Sequence, residues 1–305
     1  MKAYEQTLFI FGQFLCNLFK IDSAAEVKEV HIKEYMKYLQ QRGKYTVVAN
    51  EQSRQFNLPQ NRTDLCKPIS KTTINNYLRN IKVFFNYLYD NHYIPQNPVS
   101  RVKQLTNERK PVDFISDDEF KKLVKSFDLS KFHEHRDCTI IKLIIDTGMR
   151  LGETLLIKLP DLDIVRRSIY LHAENTKGKK SRIVFFSAEM ERNLKRWLQF
   201  KDRYSDSEYL FCTNQGNALS VSNFETNFRA YTKRVGLVNA HPHMLRNNFA
   251  KRFLMNGGDI YTLSRILGHS SVTVTEKAYL DLDDEDLRIN YKPYSPLTKI
   301  MKNNL

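Results

Sequence analysis

Two arginines, two histidines, a lysine and a tyrosine in this sequence carry the group types needed to attack a phosphodiester without a metal. The stretch from His241 to Tyr279 places His243 and Arg246 three residues apart, then His269 in a Leu-Gly-His triplet, then Tyr279. Thr147-Gly148-Met149-Arg150-Leu151-Gly152-Glu153 supplies the second arginine. Attack at phosphorus builds negative charge on the non-bridging oxygens. A guanidinium answers that charge with a planar fork of donors and keeps its proton. Arg150 follows a glycine turn from which a side chain projects into a cleft. Arg246 shares a helical face with His243. His243 suits proton transfer, its ordinary pKa lying near neutrality; the plainer alternative is a helix-start cap after Pro242. His269 after Gly268 is either a helix C-cap or a donor to a phosphate.

Tyr279 is one of 16 tyrosines. Its place after His269, and before the acidic segment that opens with Leu280-Asp281-Leu282-Asp283, singles it out as the nucleophile. A phenol has a reference pKa of about 10, and neighbouring cations stabilise its anion during attack. A phosphotyrosine ester conserves the energy of the broken bond, so rejoining needs neither ATP nor metal. The departing sugar oxygen needs a proton. Lys177, in the basic turn Thr176-Lys177-Gly178-Lys179-Lys180, is placed to give it, although Lys179 and Lys180 offer the same group and a solvated charged turn is the ordinary reading.

The composition fits a polyanionic partner. The chain has 305 residues, a formal charge of +14 and 41% hydrophobic residues, enough apolar material for true cores. The excess is spread, roughly +8 over residues 1–110 and roughly +6 over the rest. That distribution suits double-stranded DNA touched by both halves. Cys16, Cys66, Cys138 and Cys212 are far apart and form no Cys-x-x-Cys, which fits a reducing cytoplasm. No cysteine or carboxylate stands at ligand spacing from the histidines, so neither metal nor other cofactor is expected. The start of the chain reads as an amphipathic helix, not a signal peptide, and no apolar run is long enough to span a membrane.

Helices must position these groups. Periodicity predicts helices over 3–19, with Leu8, Phe9, Phe11, Leu15 and Phe19 mostly on one face, and over 26–42, with Val30, Ile32, Tyr35, Met36 and Leu39 inward. Residues 43–70 read as a long loop. Ser70 opens a helix through about Tyr89 with Leu78, Ile81, Phe84, Phe85 and Leu88 as its stripe. Residues 99–113 suit an interdomain linker. Ser116-Asp117-Asp118-Glu119 reads as a helix start, and a helix over 132–148 leads into Gly148, with His133 and His135 on the surface. A short helix follows at 151–157. Residues 166–172 and 182–186 form a hairpin around the basic turn. Further helices are expected at 188–202, 221–235, 243–256, 259–267 and around 272–280, followed by an acidic run and a short apolar-periodic tail.

These residues resemble the motifs of the tyrosine recombinases, the phage-integrase family. Residues 147–153 look like its first-arginine box. Lys177-Gly178-Lys179-Lys180-Ser181-Arg182-Ile183-Val184 is similar to its β-hairpin lysine motif, His243-Met244-Leu245-Arg246 to its His-x-x-Arg box, and Leu267-Gly268-His269 followed by Tyr279 to its final box. Four ordered motifs are specific in combination where each alone is weak. By this likeness Arg150, Arg246 and His269 bind the scissile phosphate, His243 assists proton movement, Lys177 is the general acid, and Tyr279 forms a 3′-phosphotyrosyl link. Glu153 holds the shape of the site. The implied fold is mainly α with a small β-sheet, a two-domain C-shaped DNA clamp related to type IB topoisomerases. Residues 1–107 would be a helical, SAM-like core-binding domain, and 108–305 a mixed α/β catalytic domain with an exchanged C-terminal tail. Lys71, Arg79, Lys179 and Lys180 are the expected DNA contacts. The partners implied are DNA with paired recombination sites and a homotetramer in synapsis, from a protein monomeric in solution and associated with the bacterial nucleoid.

Some features depart from the family pattern. His269 and Tyr279 are one residue further apart than in many members, Asn247 stands where a histidine is frequent, and the 43–70 loop is long. The N-terminal unit opens inside what resembles the usual first long helix. The motifs open without a recognisable arm-type segment ahead of them, so the expected likeness is to simple Xer- or transposon-type recombinases more than to a lambda-like integrase. A non-catalytic architectural DNA-binding protein and a type IB topoisomerase are the competing readings; the complete set of site residues speaks against the first, and the two-domain layout against the second.

Overall fold

The structure, a computed structural model, describes residues 2–47, 62–106, 114–279 and Tyr291. The chain forms two compact units, Met1–Lys110 and Pro111–Leu305.

In the first unit, α1 (Lys2–Phe19) and α2 (Glu29–Gln41) pack on α3 (Lys71–Asp90). The Ser70 hydroxyl starts α3 by accepting from the Thr73 N–H at 3.2 Å. Phe11, Phe14, Leu15, Ile32, Tyr35, Leu39, Ile74, Leu78, Ile81 and Phe85 form its core, each large apolar side chain contributing about 2 kcal/mol through area removed from water. Phe84 and Leu88 are only partly buried against it. The inward stripe of α1 is rotated from the expected one: Phe9 and Phe19 are exposed, while Thr7, Ile10 and Phe14 are buried. A polar pair occupies part of the inward face. Asn80 Nδ2 donates to Thr7 Oγ1 at 3.0 Å inside the core, and a threonine takes an inward position that hydrophobicity assigns to its neighbours. Val30 is likewise exposed rather than inward.

The expected linker is folded over its first part. Val99 and Val102 join the core, and Asn75 pairs with the Leu105 backbone, accepting from its N–H at 2.8 Å and donating to its carbonyl at 2.9 Å. Residues 107–113 lie outside the described residues, as do 48–61 of the predicted long loop, whose base is joined by a bridge between Gly43 and Pro68.

The second unit is built around α5 (Phe132–Thr147), which is buried on almost every side. Before it, α4 (Asp117–Lys125) begins with a reciprocal cap: Ser116 N–H donates to Glu119 Oε2 at 2.8 Å, and Glu119 N–H donates to Ser116 Oγ at 3.3 Å. After it come α6 (Leu151–Leu155) and an antiparallel sheet of β1 (Leu162–Asp163), β2 (Ser168–Leu171) and β3 (Arg182–Phe185) in that order. The strand β1 was not expected. Helices α7 (Ala188–Lys201), α8 (Val221–Arg234) and α9 (His243–Met255) surround α5. His135 is not a surface residue: its ring packs against Trp197 and Phe200, with centroids at 5.5 and 4.8 Å. His133 is exposed. The described chain ends in α10 (Ile260–Leu267) and α11 (Val272–Tyr279), which pack on each other and on α9. The predicted acidic run and, Tyr291 aside, the tail lie outside the described residues.

Candidate active site

Two helix ends make the floor of the site. Helix α5 closes on Gly148 at φ 69° and α10 on Gly268 at φ 64°, both left-handed caps. Gly148 admits no side chain, since a Cβ there would lie 2.3 Å from Phe249 Cδ1. The carbonyls left without a helical partner at these ends carry the negative pole of each helix. Arg246, on the first turn of α9, is buried between them. Its Nη1 donates to the Gly148 carbonyl and its Nη2 to the Leu267 carbonyl, both at 2.7 Å. Burying a full charge is costly unless it is hydrogen-bonded, and here two helix C-termini supply the acceptors.

Nη2 of Arg246 also lies 3.1 Å from His269 Nε2, and His269 Nδ1 lies 2.7 Å from Thr275 Oγ1. Burial pushes the His269 pKa down to about 4, aided by the charges of Arg246, Arg150 and Arg182 and by His243. Arg246 also lines a pocket of about 170 Å³ with Arg150 and His243, against an apolar wall of Met149, Leu151, Val221 and Pro242 and with Glu225 as a carboxylate in the lining. His243 is the first residue of α9 and is exposed. Crowding of its ring by protein, then the positive charge of Arg246 and the nearby His241, Arg150 and Lys177, hold its pKa below the ordinary histidine value.

Arg150 immediately precedes α6, and its half-buried side chain is held by Glu153, with Nη1 to Oε1 at 2.9 Å. Glu153 is buried and also receives Arg182, with Nη2 to Oε2 at 2.6 Å and Nη1 to Oε1 at 3.2 Å. Burial alone would raise the Glu153 pKa; the bonds and charge of Arg182, with those from the Arg150 backbone and side chain, outweigh it and hold the carboxyl below the usual range. Arg182 donates Nε to the Ile266 carbonyl at 3.0 Å as well, tying β3 to the end of α10.

Five of the six expected catalytic residues therefore sit in one electrostatic neighbourhood. Lys177 lies exposed in the β2–β3 connection, near enough for its charge to act on His243. Tyr279 closes α11; its side chain falls outside the described residues. Lys179 and Lys180 are exposed beside Lys177, and Thr176 closes that turn by donating to the Lys180 carbonyl at 3.0 Å. Lys71 and Arg79 are exposed on α3. No group of three or more His, Cys, Asp or Glu among the described residues is placed to hold a metal ion, and no described helix is long and apolar enough to cross a membrane.

Arg182 and Thr275 were missed as site residues. A signal existed for Arg182. It stands opposite Leu171 in the sheet register, so it shares the face of a buried leucine, and a guanidinium on that face needs hydrogen-bond acceptors from the protein.

The profile of the phage integrase family matches residues 113–286. The chain belongs to that family. The tyrosine recombinase XerC of Thermodesulfovibrio yellowstonii is 32% identical over 243 residues, covering 77% of this chain and 79% of the relative. The crystal structure of XerA recombinase is 28% identical with a TM-score of 0.54, over 97% of this chain and 92% of that one. The fold is shared with the transposon Tn1549 integrase in complex with transposon right end DNA, at TM-score 0.71, 17% identity and coverage of 95% and 91%. The protein is thus a tyrosine recombinase, an enzyme of site-specific DNA recombination. Its mostly helical fold with one small sheet is the architecture expected of that family.

Proposed function

We propose that this recombinase breaks and rejoins DNA at paired sites of a mobile element through Tyr279. In this reading the phenolic oxygen attacks the scissile phosphorus, forming a 3′-phosphotyrosyl bond and breaking the bond to the 5′ sugar oxygen. Arg150, Arg246 and His269 hold the phosphate oxygens, His243 moves protons at the same centre, and Lys177 gives the proton to the departing oxygen. Glu153 keeps Arg150 in place. The second strand end reverses these steps.

The observation that carries the reading is the buried Arg246 guanidinium, set 3.1 Å from His269 and lining one pocket with Arg150 and His243. Fixed donors aimed at developing charge are among the largest contributors to catalysis. The convergence of Arg150, His243 and Arg246 on one pocket supports a catalytic reading over a purely architectural one.

Residues 1–107 serve as a core-binding domain and 108–305 as the catalytic domain. Lys71, Arg79, Lys179 and Lys180 contact the DNA backbone. The working assembly is a homotetramer on two sites, formed from monomers in a bacterial cytoplasm where the protein associates with the nucleoid.

A nicked suicide DNA substrate tests the proposal. The wild-type protein becomes covalently linked to the 3′ end. The Tyr279→Phe variant binds the DNA and leaves it uncut; a covalent species retained by that variant would assign the attack to another residue.

A further inference from the structure

We propose that Thr275 is a positioning residue of this site, whose hydroxyl holds the His269 ring and pairs with its Nδ1 in whichever protonation state the ring adopts. The inference deepens the reading of His269 as a phosphate ligand and rests on it for its catalytic consequence.

The Arg246 contact sets the assignment in the DNA-free protein. A guanidinium has donors and no acceptor, so His269 Nε2, 3.1 Å from Arg246 Nη2, meets it with a lone pair. A neutral ring then has its hydrogen on Nδ1, and Thr275 Oγ1 at 2.7 Å accepts it. Thr275 is fully buried, so its hydroxyl is held in place by the packing of α11. Burial and the surrounding positive charges keep the ring neutral, which makes the tautomer, rather than the charge, the quantity the site controls.

That tautomer is the wrong one for holding a phosphate, because Nε2 presents a lone pair. When a phosphate oxygen takes the place of the Arg246 Nη2 group beside Nε2, the ring must present an N–H there. One route is uptake of a solvent proton, favoured by the anionic phosphate, with Thr275 still accepting from Nδ1. The other is loss of the Nδ1 proton to water and gain of one at Nε2, with the hydroxyl rotating to donate to Nδ1. A hydroxyl serves both routes without moving its oxygen, since it has one donor and two lone pairs. A methyl group at the same place serves neither. Serine preserves the function and valine preserves only the shape.

Nitrogen NMR of the histidine rings reads the tautomer directly. In the free wild-type protein near pH 7, His269 should show a protonated Nδ1 and an unprotonated Nε2. Thr275→Val should keep that tautomer, which Arg246 sets, but with the Nδ1 resonance moved toward that of an N–H without an acceptor, and Thr275→Ser should match the wild type. On the suicide substrate, Thr275→Val should cleave about tenfold more slowly, the equivalent of one ordinary hydrogen bond, with a displaced pH–rate profile. Thr275→Ser should stay within about threefold of wild type on the same scale. A protonated Nε2 in the free wild type would overturn the inference. So would a Thr275→Val variant with wild-type rate and pH profile, or a Thr275→Ser variant as slow as the valine one. Should Thr275→Val fail to fold, judged by circular dichroism, the NMR of the wild type and of Thr275→Ser decides alone. His269→Ala on the same substrate separates the two levels: an undiminished rate there removes His269 from phosphate binding and leaves the tautomer result standing.

Discussion

Arg182 closes a bidentate pair on Glu153, with Nη2 to Oε2 at 2.6 Å and Nη1 to Oε1 at 3.2 Å. The pair joins β3, the strand that follows the Lys177 turn, to α6, the helix that Arg150 precedes. Because Arg182 also donates to the Ile266 carbonyl, one side chain braces the two arms that flank the site and the C-terminal end of α10.

Removing that brace should cost both stability and rate. Arg182→Met keeps the bulk but leaves a buried carboxylate with Arg150 as its remaining side-chain cation. Loss of one partner from a buried pair costs about 3 kcal/mol, so the urea midpoint should fall clearly. Cleavage of the suicide substrate should fall by roughly tenfold or more through displaced Arg150. An unchanged midpoint would mean that Glu153 is held well enough by Arg150 alone.

Arg246 should not be replaceable by lysine. Its guanidinium reaches the Gly148 carbonyl, the Leu267 carbonyl and His269 at once. An ammonium on a flexible stem retains the charge and loses the planar fork. Arg246→Lys should lower the single-turnover cleavage rate by roughly 10²-fold or more, by analogy with loss of one preorganised donor. A near-normal rate would remove Arg246 from the phosphate-binding group.

The acceptor side of that contact is equally constrained. Gly148 has φ 69°, and a Cβ there would meet Phe249 Cδ1 at 2.3 Å and Leu267 Cδ2 at 2.9 Å. The left-handed backbone costs a non-glycine residue about 1–2 kcal/mol, and overpacking a filled core adds about 1–3 kcal/mol. Gly148→Ala should therefore unfold at visibly lower urea concentration and should also cleave slowly, because the displaced carbonyl is the one Arg246 holds. A stable variant that cleaves poorly would separate the two effects; a stable, fully active one would show that Phe249 simply turns aside.

What could be read from the sequence was local or motif-borne. Ser70 and Ser116 announce helix starts because caps act within four residues, and both are seen. Arg150, His243 and Arg246 were legible because a glycine turn and a three-residue helical spacing leave marks in the chain. Tertiary pairings leave no such mark. Thr7 is inward and meets Asn80, a partner far along the chain. His135 is only half-exposed because its ring packs on Trp197 and Phe200 of α7. Thr275 reaches His269 only because α11 packs on α10, a pairing that no local pattern announces. Val99 and Val102 looked like linker residues because a linker and a segment laid across a core share the same short, turn-rich composition.

The two site histidines give the protein a specific pH dependence. His269 is pushed down to about 4 and His243 is lowered as well, whereas an unfolded histidine titrates near 6.5. Between those values the unfolded chain binds protons that the folded chain refuses, and stability falls as protons are taken up on unfolding. The sign is therefore fixed: the contribution is whole above about pH 6.5 and is lost as the pH falls from there toward 4. The lowered Glu153 carboxyl acts in the same direction, but only below the ordinary carboxylate range. Urea midpoints measured at pH 7, 6, 5 and 4 should decline across the upper part of that interval before the carboxylates begin to protonate. His269→Gln, which has no proton to refuse, should flatten the decline between pH 6.5 and 5 while leaving the steeper loss at lower pH. Parallel curves for the variant and the wild type would mean that the His269 ring takes up its proton equally in the folded and unfolded chains, and that its surroundings do not lower its pKa.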